Sequence, residues 1–270
     1  MRGLVYKIWR ETSTMTGLFA AALFAVTALL TYILPQLQDG FGDIFKQIPI
    51  ARRMVSALLS TEIGDTLSAQ MMQAILWVHP VILTTVFGFV IVFCTRTPAG
   101  EVDRGTIDIL LGWPIGRRTV YLTETAYVLA AGVFLMICGW LGHLVASPAM
   151  PPEIRPRGMQ VIVVYLNFYC VFVAVAGAAF LVSALSDRRG KAVGIVTTFV
   201  VASFLLKFIA QFFEPAKHVV FLSVLDYYQP ANVLSSNGFP AGDMAVLLAM
   251  GVGAWAIGGE ILARRSLCTT

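Results

Sequence analysis

Long apolar runs, separated by short polar segments, recur along almost the whole chain. Each run is close to the ~20 residues that an α-helix needs to cross the hydrocarbon core of a bilayer. Pro80 and Gly88 interrupt the second run, which neighbouring helices can tolerate inside a membrane protein. The pattern therefore predicts six membrane-spanning helices. Their approximate bounds are 15–35, 74–95, 120–147, 161–186, 192–213 and 243–263.

The first run follows three basic residues, Arg2, Lys7 and Arg10, an arrangement that also occurs in secretory signal peptides. The run is longer than the apolar core of a signal peptide, Pro35 closes it, and no small-residue cleavage site follows. We therefore interpret it as an uncleaved first membrane helix.

The segments between the runs differ greatly in length. In the longest, 36–73, hydrophobic residues near helical spacing predict one or two amphipathic helices at the outer membrane interface. The segment 97–118 joins the second and third runs, and 214–242 carries aromatic residues typical of an interface. Only residues 187–191 separate the fourth and fifth runs, so a tight turn is expected there.

The distribution of basic residues predicts the orientation. Six spans place both termini on the same side of the membrane. Twelve Lys and Arg residues lie in segments on that side, and six lie in segments on the opposite side. Because basic residues near span ends accumulate in the cytoplasm, we expect cytoplasmic N- and C-termini and a multi-pass protein of the cytoplasmic (inner) membrane.

Composition supports a membrane protein. Hydrophobic residues make up 58% of the 270 residues and charged residues 13%, whereas a soluble domain carries about a quarter charged residues. Once the spans are subtracted, no segment remains that could build a separate soluble core, so residues 1–270 are expected to form one transmembrane domain. The net charge of +4 is small and gives no reason to expect a nucleic acid partner.

Three rows of small residues, spaced four apart, have the pattern that lets helices approach closely in lipid. We expect them to pack against other helices of the same chain, with contact to a second copy of the chain as the alternative. The rows are Gly17, Ala21 and Ala25; Gly190 and Gly194; and Ala245, Ala249 and Gly253.

Lys207 lies deep in the fifth apolar run. A charged side chain in hydrocarbon is costly and often functional. In one interpretation the Lys207 side chain extends to the outer interface, toward Glu214. In the other, it lines a pathway through the membrane or an interface.

Several kinds of site have no support in the sequence. The chain carries no Gly-x-x-x-x-Gly-Lys-Ser/Thr loop, so we do not expect it to bind nucleotide. A Ser/His/Asp set, a His-Glu-x-x-His helix and a paired-carboxylate motif are also missing, which argues against an enzyme. Copper binding by His79, His143 and His218, which share the predicted outer side, would require a ligand spacing that they lack; we assign no metal.

The segment 97–118 carries the most informative pattern. Pro98 and Pro114 bracket it, and its interior predicts a short amphipathic helix with Gly105 as the weak point. Such a helix can lie on the lipid surface or dock into a groove on a soluble partner. Its apolar stripe consists of Ile107, Leu110 and Leu111.

This segment resembles the first cytoplasmic loop of ABC transporter permeases of the type-2 export class. The matching residues are Glu101, Gly105, Thr106, Leu110, Leu111, Pro114 and Arg117. The ends of the chain are similar to the same family. Lys7, Trp9, Arg10 and Glu11 resemble its N-terminal elbow helix, and residues 263–267 its basic ending, with Ser266 in place of the usual acidic residue.

The resemblance implies an all-α membrane protein with six transmembrane helices, an amphipathic elbow helix and a short cytoplasmic coupling helix over residues 101–111. In that family the coupling helix sits in a groove of a soluble ATPase. Glu101 and Arg104 would then make polar contacts with the ATPase or the elbow, and Leu110 and Leu111 would anchor the helix.

The implied assembly has two permease halves, the second being a copy or a paralogue, and two soluble ATPase subunits that bind ATP and Mg. This chain would bind no cofactor itself and would move a substrate outward. Two alternatives remain open at this point: an ion-coupled secondary transporter, and a non-transporting membrane assembly subunit. A secondary transporter usually shows intramembrane acids or broken helices repeated between two halves.

Overall fold

A computed structural model describes residues 2–37, 55–56, 69–107, 112, 115–152, 155–236 and 238–265. All regular secondary structure in these residues is helical. Most of the segment predicted to hold outer amphipathic helices lies outside them. The α-helices are α1 (Arg2–Ile33), α2 (Ala69–Val78), α3 (Pro80–Cys94), α4 (Glu101–Asp103), α5 (Arg117–Ala146), α6 (Gly158–Leu185), α7 (Arg189–Ala210), α8 (Glu214–Lys217), α9 (Pro230–Ser236) and α10 (Ala241–Arg264).

The six predicted spans are confirmed. Among the described residues, six helical stretches are long and apolar enough to cross a membrane. The second combines α2 and α3, which meet at His79, and Pro80 occupies the first turn of α3, where its missing N–H costs no hydrogen bond. The stretches are Gly3–Leu37, Gln73–Cys94, Arg117–Ala149, Gly158–Leu185, Arg189–Ala210 and Ala241–Arg264.

The largest departure from the prediction is at the N-terminus. The residues expected to form a separate elbow helix, Lys7, Trp9, Arg10 and Glu11, lie in the first turns of α1, which runs into the first span without a break. No proline or glycine separates these turns from the apolar run, and the Thr12 hydroxyl donates a hydrogen bond to a carbonyl within the same helix. The hydrogen-bond ladder is therefore continuous, and the elbow is an extension of α1.

Helix α6 forms the centre of the bundle. In the most apolar part of α6, 67% of the residues are buried inside the protein, whereas only 22% are buried in the most apolar parts of α7 and α10. α6 packs most extensively against α10, while α1 packs along α5. Helix α7 touches α6 and α3 more lightly, so it is among the helices least held by the rest of the bundle.

Close helix packing depends on glycines other than those in the predicted rows. A Cβ atom at Gly177 of α6 would overlap the backbone of Gly251 in α10, and one at Gly142 of α5 would overlap the backbone of α1. The predicted rows on α1, α7 and α10 face outward instead, so the expectation of contacts within the chain is wrong for them. A row of small residues shows that close approach is possible, but only the fold determines which face is covered.

The glycine contact can be tested by a matched pair of substitutions. Gly177→Val should destabilise the bundle by at least about 1–3 kcal/mol, because the new side chain overlaps backbone that has no rotamer to adjust. Gly253→Val on α10 should have little effect, since no atom lies within 4 Å of its Cβ position. The measurement is the midpoint of thermal unfolding in detergent, followed by size-exclusion chromatography. Equal midpoints for the two variants would contradict the assigned α6–α10 contact.

Candidate functional site

The start of α1, the end of α10 and the described residues between 95 and 116 lie at one end of the bundle, which we call the terminal face. The chain leaves α3 and makes an irregular turn over Arg96–Gly100, in which Thr97 is extended (φ −132°, ψ 128°). α4 follows as a single helical turn. This segment contains most of the residues matched to the coupling helix.

Gly105 ends α4 in the left-handed conformation, with φ +67°. The N–H of Gly105 donates to the carbonyl of Val102 (3.0 Å) and the N–H of Thr106 to that of Glu101 (3.0 Å), the pair of bonds that defines a Schellman C-cap. The helix predicted over 101–111 is therefore interrupted at Gly105, because glycine in this conformation terminates a helix. Ile107 is helical again, and residues 108–111 lie outside the described residues. Leu110, Leu111 and Pro114 lie outside the described residues.

Glu101 joins this turn to the first helix. Its buried carboxylate accepts hydrogen bonds from Lys7 of α1 (3.4 Å), from Arg104 (3.1 Å) and from the Thr106 hydroxyl. Burial alone would raise the pKa of Glu101, but the Thr106 hydrogen bond and the charges of Lys7 and Arg104 outweigh it and lower the pKa. Glu101 therefore stays ionised, and its charge links the loop to α1.

Arg96 makes a second link, between three elements. Its guanidinium donates to Glu11 of α1 (2.5 Å) and to Glu124 of α5 (2.8 Å), and Glu124 also accepts from the Thr97 hydroxyl (3.1 Å). The Arg96 and Glu124 side chains are only 12% and 7% exposed. Burial works against the charge on Arg96, but the two carboxylates prevail and raise its pKa.

A small apolar cluster lies beside these ion pairs. Leu4 and Ile8 of α1 are buried against Ile107 and Val120, the last in the first turn of α5. Ile107, predicted to belong to a stripe available for docking, is 2% exposed and faces the bundle. The exposed part of the turn is instead Asp103, Arg104 and Gly105.

A further set of contacts closes the terminal face around the C-terminus. Arg265, just after α10, donates to the carbonyl of Ala184 at the end of α6 (2.7 Å) and pairs with Asp187. Arg117, a residue of the matched motif, donates to the carbonyl of Arg265. The sequence indicated only a basic ending. That Arg265 joins α5, α6 and α10 can be seen only in the folded structure.

Lys207 lies near the opposite end of the bundle, which we call the far face. Its ammonium donates to the backbone carbonyls of Leu225 and Tyr228, both at 2.8 Å, and the residue is 7% exposed. The expected reach toward Glu214 is wrong, because Glu214 pairs with Lys217 at 2.7 Å. Two carbonyls of the segment before α9 satisfy the charge inside the protein instead.

A cavity of about 290 Å³ lies between α3 and α7. Its walls are apolar, with Phe87 and Phe204 among the larger side chains, and Leu225 contributes from the segment bound by Lys207. Among the described residues, Thr84 and Thr197 are the only polar side chains that line it. The cavity is suited to an apolar group and lies where the lightly packed helix α7 meets the bundle.

The histidines have local partners. His79 caps α3 by accepting a hydrogen bond from the N–H of Val81 (3.3 Å), and Nδ1 of His143 lies 3.0 Å from the Thr31 hydroxyl. In the part of the chain that the structure describes, no three potential metal ligands cluster.

The comparison with known families decides the class of the protein. A family model described as "ABC-2 family transporter protein" matches residues 6–261, nearly the whole chain. The chain belongs to the ABC-2 transporter family. No curated protein sequence matches it. As an ABC-2 permease it is a multi-pass membrane protein that takes part in transport. The terminal face and the cavity are the two features most relevant to that function.

The buried ion pair predicts a specific pattern of stability. Arg96→Met should lower the stability of the ABC-2 permease by about 3–5 kcal/mol, because Glu124 is left buried without its counter-ion. The double variant Arg96→Met/Glu124→Gln should recover most of this loss. Arg118→Met is the control, since Arg118 pairs with Glu260 at an exposed site, where an ion pair contributes little. Thermal midpoints in detergent provide the measurement, and a double variant no more stable than Arg96→Met would refute the pairing.

Glu101 predicts a pH dependence. Because its folded-state pKa is lowered, its contribution to stability is fully present above the ordinary glutamate pKa of about 4.3 and is lost as the pH falls through the lower folded-state value. Glu101→Gln should therefore unfold at a lower temperature than the wild type at neutral pH, and the difference should disappear in acid. Unfolding midpoints measured between about pH 7 and pH 3 test this. A constant difference over that range would contradict it.

Proposed function

We propose that this chain is the permease subunit of an ATP-driven exporter, in which a separate soluble ATPase drives outward movement of a substrate. The observation that carries the proposal is the anchoring of the turn around α4: Glu101 binds Lys7 of α1, and Arg96 binds both α1 and α5. A turn held by buried charges at its base and exposed at its tip is a suitable device for receiving a force from a soluble partner and passing it to membrane helices.

The exposed tip supports this assignment. Asp103, Arg104 and Gly105 form the outermost part of the turn, and their neighbours toward the bundle are fixed by the Schellman cap and the Glu101 contacts. We infer that this tip, together with Leu110, Leu111 and Pro114, contacts the ATPase. The ATPase would bind ATP and Mg, and this chain would bind neither.

The rest of the assembly follows from the same proposal. A second permease, either a copy or a paralogue, would face this one, and the outward rows of small residues on α1, α7 and α10 would permit a close approach. The excess of basic residues on the terminal face supports cytoplasmic termini in the inner membrane. The apolar cavity between α3 and α7 is the candidate path for the substrate.

The alternative of ion-coupled secondary transport is less well supported. Such transporters use intramembrane carboxylates that bind and release cations. Glu124 in α5 instead accepts hydrogen bonds from Arg96 and Thr97 at Oε1, and Glu260 of α10 pairs with Arg118 and Arg264 near the terminal face. The contacts of both acids therefore favour a structural role over cation binding.

The test is a pull-down of the tagged protein from its native membranes in mild detergent, followed by mass spectrometry and an ATPase assay. We expect a stoichiometric soluble ATPase. Gly105→Val should abolish its binding, because a β-branched residue in the left-handed conformation costs roughly 1–2 kcal/mol and would distort the turn. Gly105→Asn should retain it, since asparagine tolerates that conformation.

Replacement of Leu110 and Leu111 by aspartate should also abolish binding while the protein remains inserted and monodisperse. Recovery of the wild-type protein without any ATPase, in several mild detergents, would overturn the proposed function. Normal ATPase binding by Gly105→Val and by the double aspartate variant would place the contact elsewhere on the terminal face.

A further inference from the structure

Helix α7 is fastened by polar contacts near both of its ends, to α3 near its start and to residues 223–228 near its end. At the terminal face, Arg189 in its first turn donates to the carbonyl of Val92 in α3 (3.0 Å). The side chain of Arg189 also packs on Gly100, where an added Cβ would lie only 3.2 Å from its Cδ. The start of α7 therefore rests directly on the turn that leads into α4.

At the far face, α7 is fastened to residues 223–228. Lys207 donates to the carbonyls of Leu225 and Tyr228, and the Ser223 hydroxyl donates to the carbonyl of Ser203 (2.7 Å). Lys207, Ser223 and Leu225 are all buried, and Asp226 adds electrostatic attraction to the ammonium. Separating 223–228 from α7 would leave a buried ammonium without partners, which is unfavourable in a medium of low polarity.

These two attachments are about 27 Å apart along the helix axis, given a rise of ~1.5 Å per residue over 18 residues. Between them α7 forms one wall of the apolar cavity, and Leu225 of the attached segment forms part of the wall near the far face. The span is one of the least buried in the bundle. Residues 223–228 also contact α6, since the Tyr228 ring stacks on Phe168 and the Asn167 amide donates to the carbonyl of Tyr227 (3.4 Å), so the attachment joins α7 to the centre of the bundle.

We propose that Lys207 is a positioning residue that fastens α7 to residues 223–228, so that a displacement of the turn at Arg96–Gly100, carried along α7, reaches the far wall of the cavity. The inference rests on the proposed function for its purpose, since an ATPase would supply the displacement. The attachment of residues 223–228 to α7 is a property of the permease alone.

The test uses the full chain in lipid nanodiscs without any ATPase. The four native cysteines are replaced by alanine, and Leu225→Cys serves as the reporter, because Leu225 is 3% exposed and lines the cavity. The rate of labelling by N-ethylmaleimide measures how often residues 223–228 open. Lys207→Met should raise this rate by about tenfold, because local opening no longer has to break two charged hydrogen bonds.

Two variants distinguish fastening from general damage. Lys207→Arg, which keeps the charge and the donors, should label at close to the wild-type rate. Lys217→Met removes a lysine of the neighbouring exposed helix α8 and should leave the rate unchanged. Where Lys207→Met does not yield monodisperse protein, Ser223→Ala removes the second attachment and should raise the rate by about threefold.

Transmission along α7 is tested at the other end. Gly100→Val forces the Arg189 side chain to move and should change the labelling rate of Leu225→Cys by about threefold when Lys207 is present. The change should disappear when Lys207 is replaced by methionine, and should shrink but persist when only Ser223 is replaced by alanine, since that variant keeps both Lys207 bonds. Gly194→Val, in the same helix with no atom within 4 Å, is the control and should have no effect.

A labelling rate unaffected by Lys207→Met and by Ser223→Ala would overturn the fastening. An effect of Gly100→Val that is absent, or that is the same with and without the attachment, would overturn the transmission. Because no ATPase takes part, these outcomes are read independently of the pull-down: a permease that recovers no ATPase refutes the proposed function and leaves the labelling result intact.

Discussion

The pairing of Arg96 is the interaction on which the terminal face depends. A guanidinium this far from water must have its charge satisfied within the protein, and its two carboxylate partners come from α1 and α5. The pairing therefore fixes where the chain can leave α3, and with it the position of α4 and of Glu101. The Lys7 contact to Glu101 and the apolar contacts of Ile107 then become possible because the turn is already held against α1.

The uneven burial of the helices has a mechanical consequence. α6 approaches α10 closely at Gly177 and Gly251, where an added Cβ atom would overlap the facing backbone. α7 has polar contacts near its ends and packs Val196 against the core, and part of its length faces a cavity. A rigid centre beside a lightly packed span gives the bundle a fixed reference against which one wall of the cavity can move.

The spans could be predicted from sequence because the hydrocarbon core imposes a length of apolar residues that no other structure requires. The continuity of α1 could have been inferred from the lack of any helix breaker before the first span. Gly105 was identified as a weak point, yet whether it bends or ends a helix depends on its φ angle, which composition does not encode. The partners of Glu101 and Arg96 come from residues up to 94 positions away, and only the fold brings them together.

Lys207 shows why its partner could not be predicted from charge. Sequence reasoning looks for an acidic side chain or for water, and Glu214 lies seven residues further along the chain. The structure satisfies the ammonium with two backbone carbonyls, groups that every residue carries and that no sequence pattern distinguishes. The Leu225 carbonyl also accepts from the N–H of Tyr228 in a turn (3.1 Å), so the lysine is a second donor to this oxygen. The ammonium would be unfavourable alone at this depth, and its two bonds hold the far wall of the cavity.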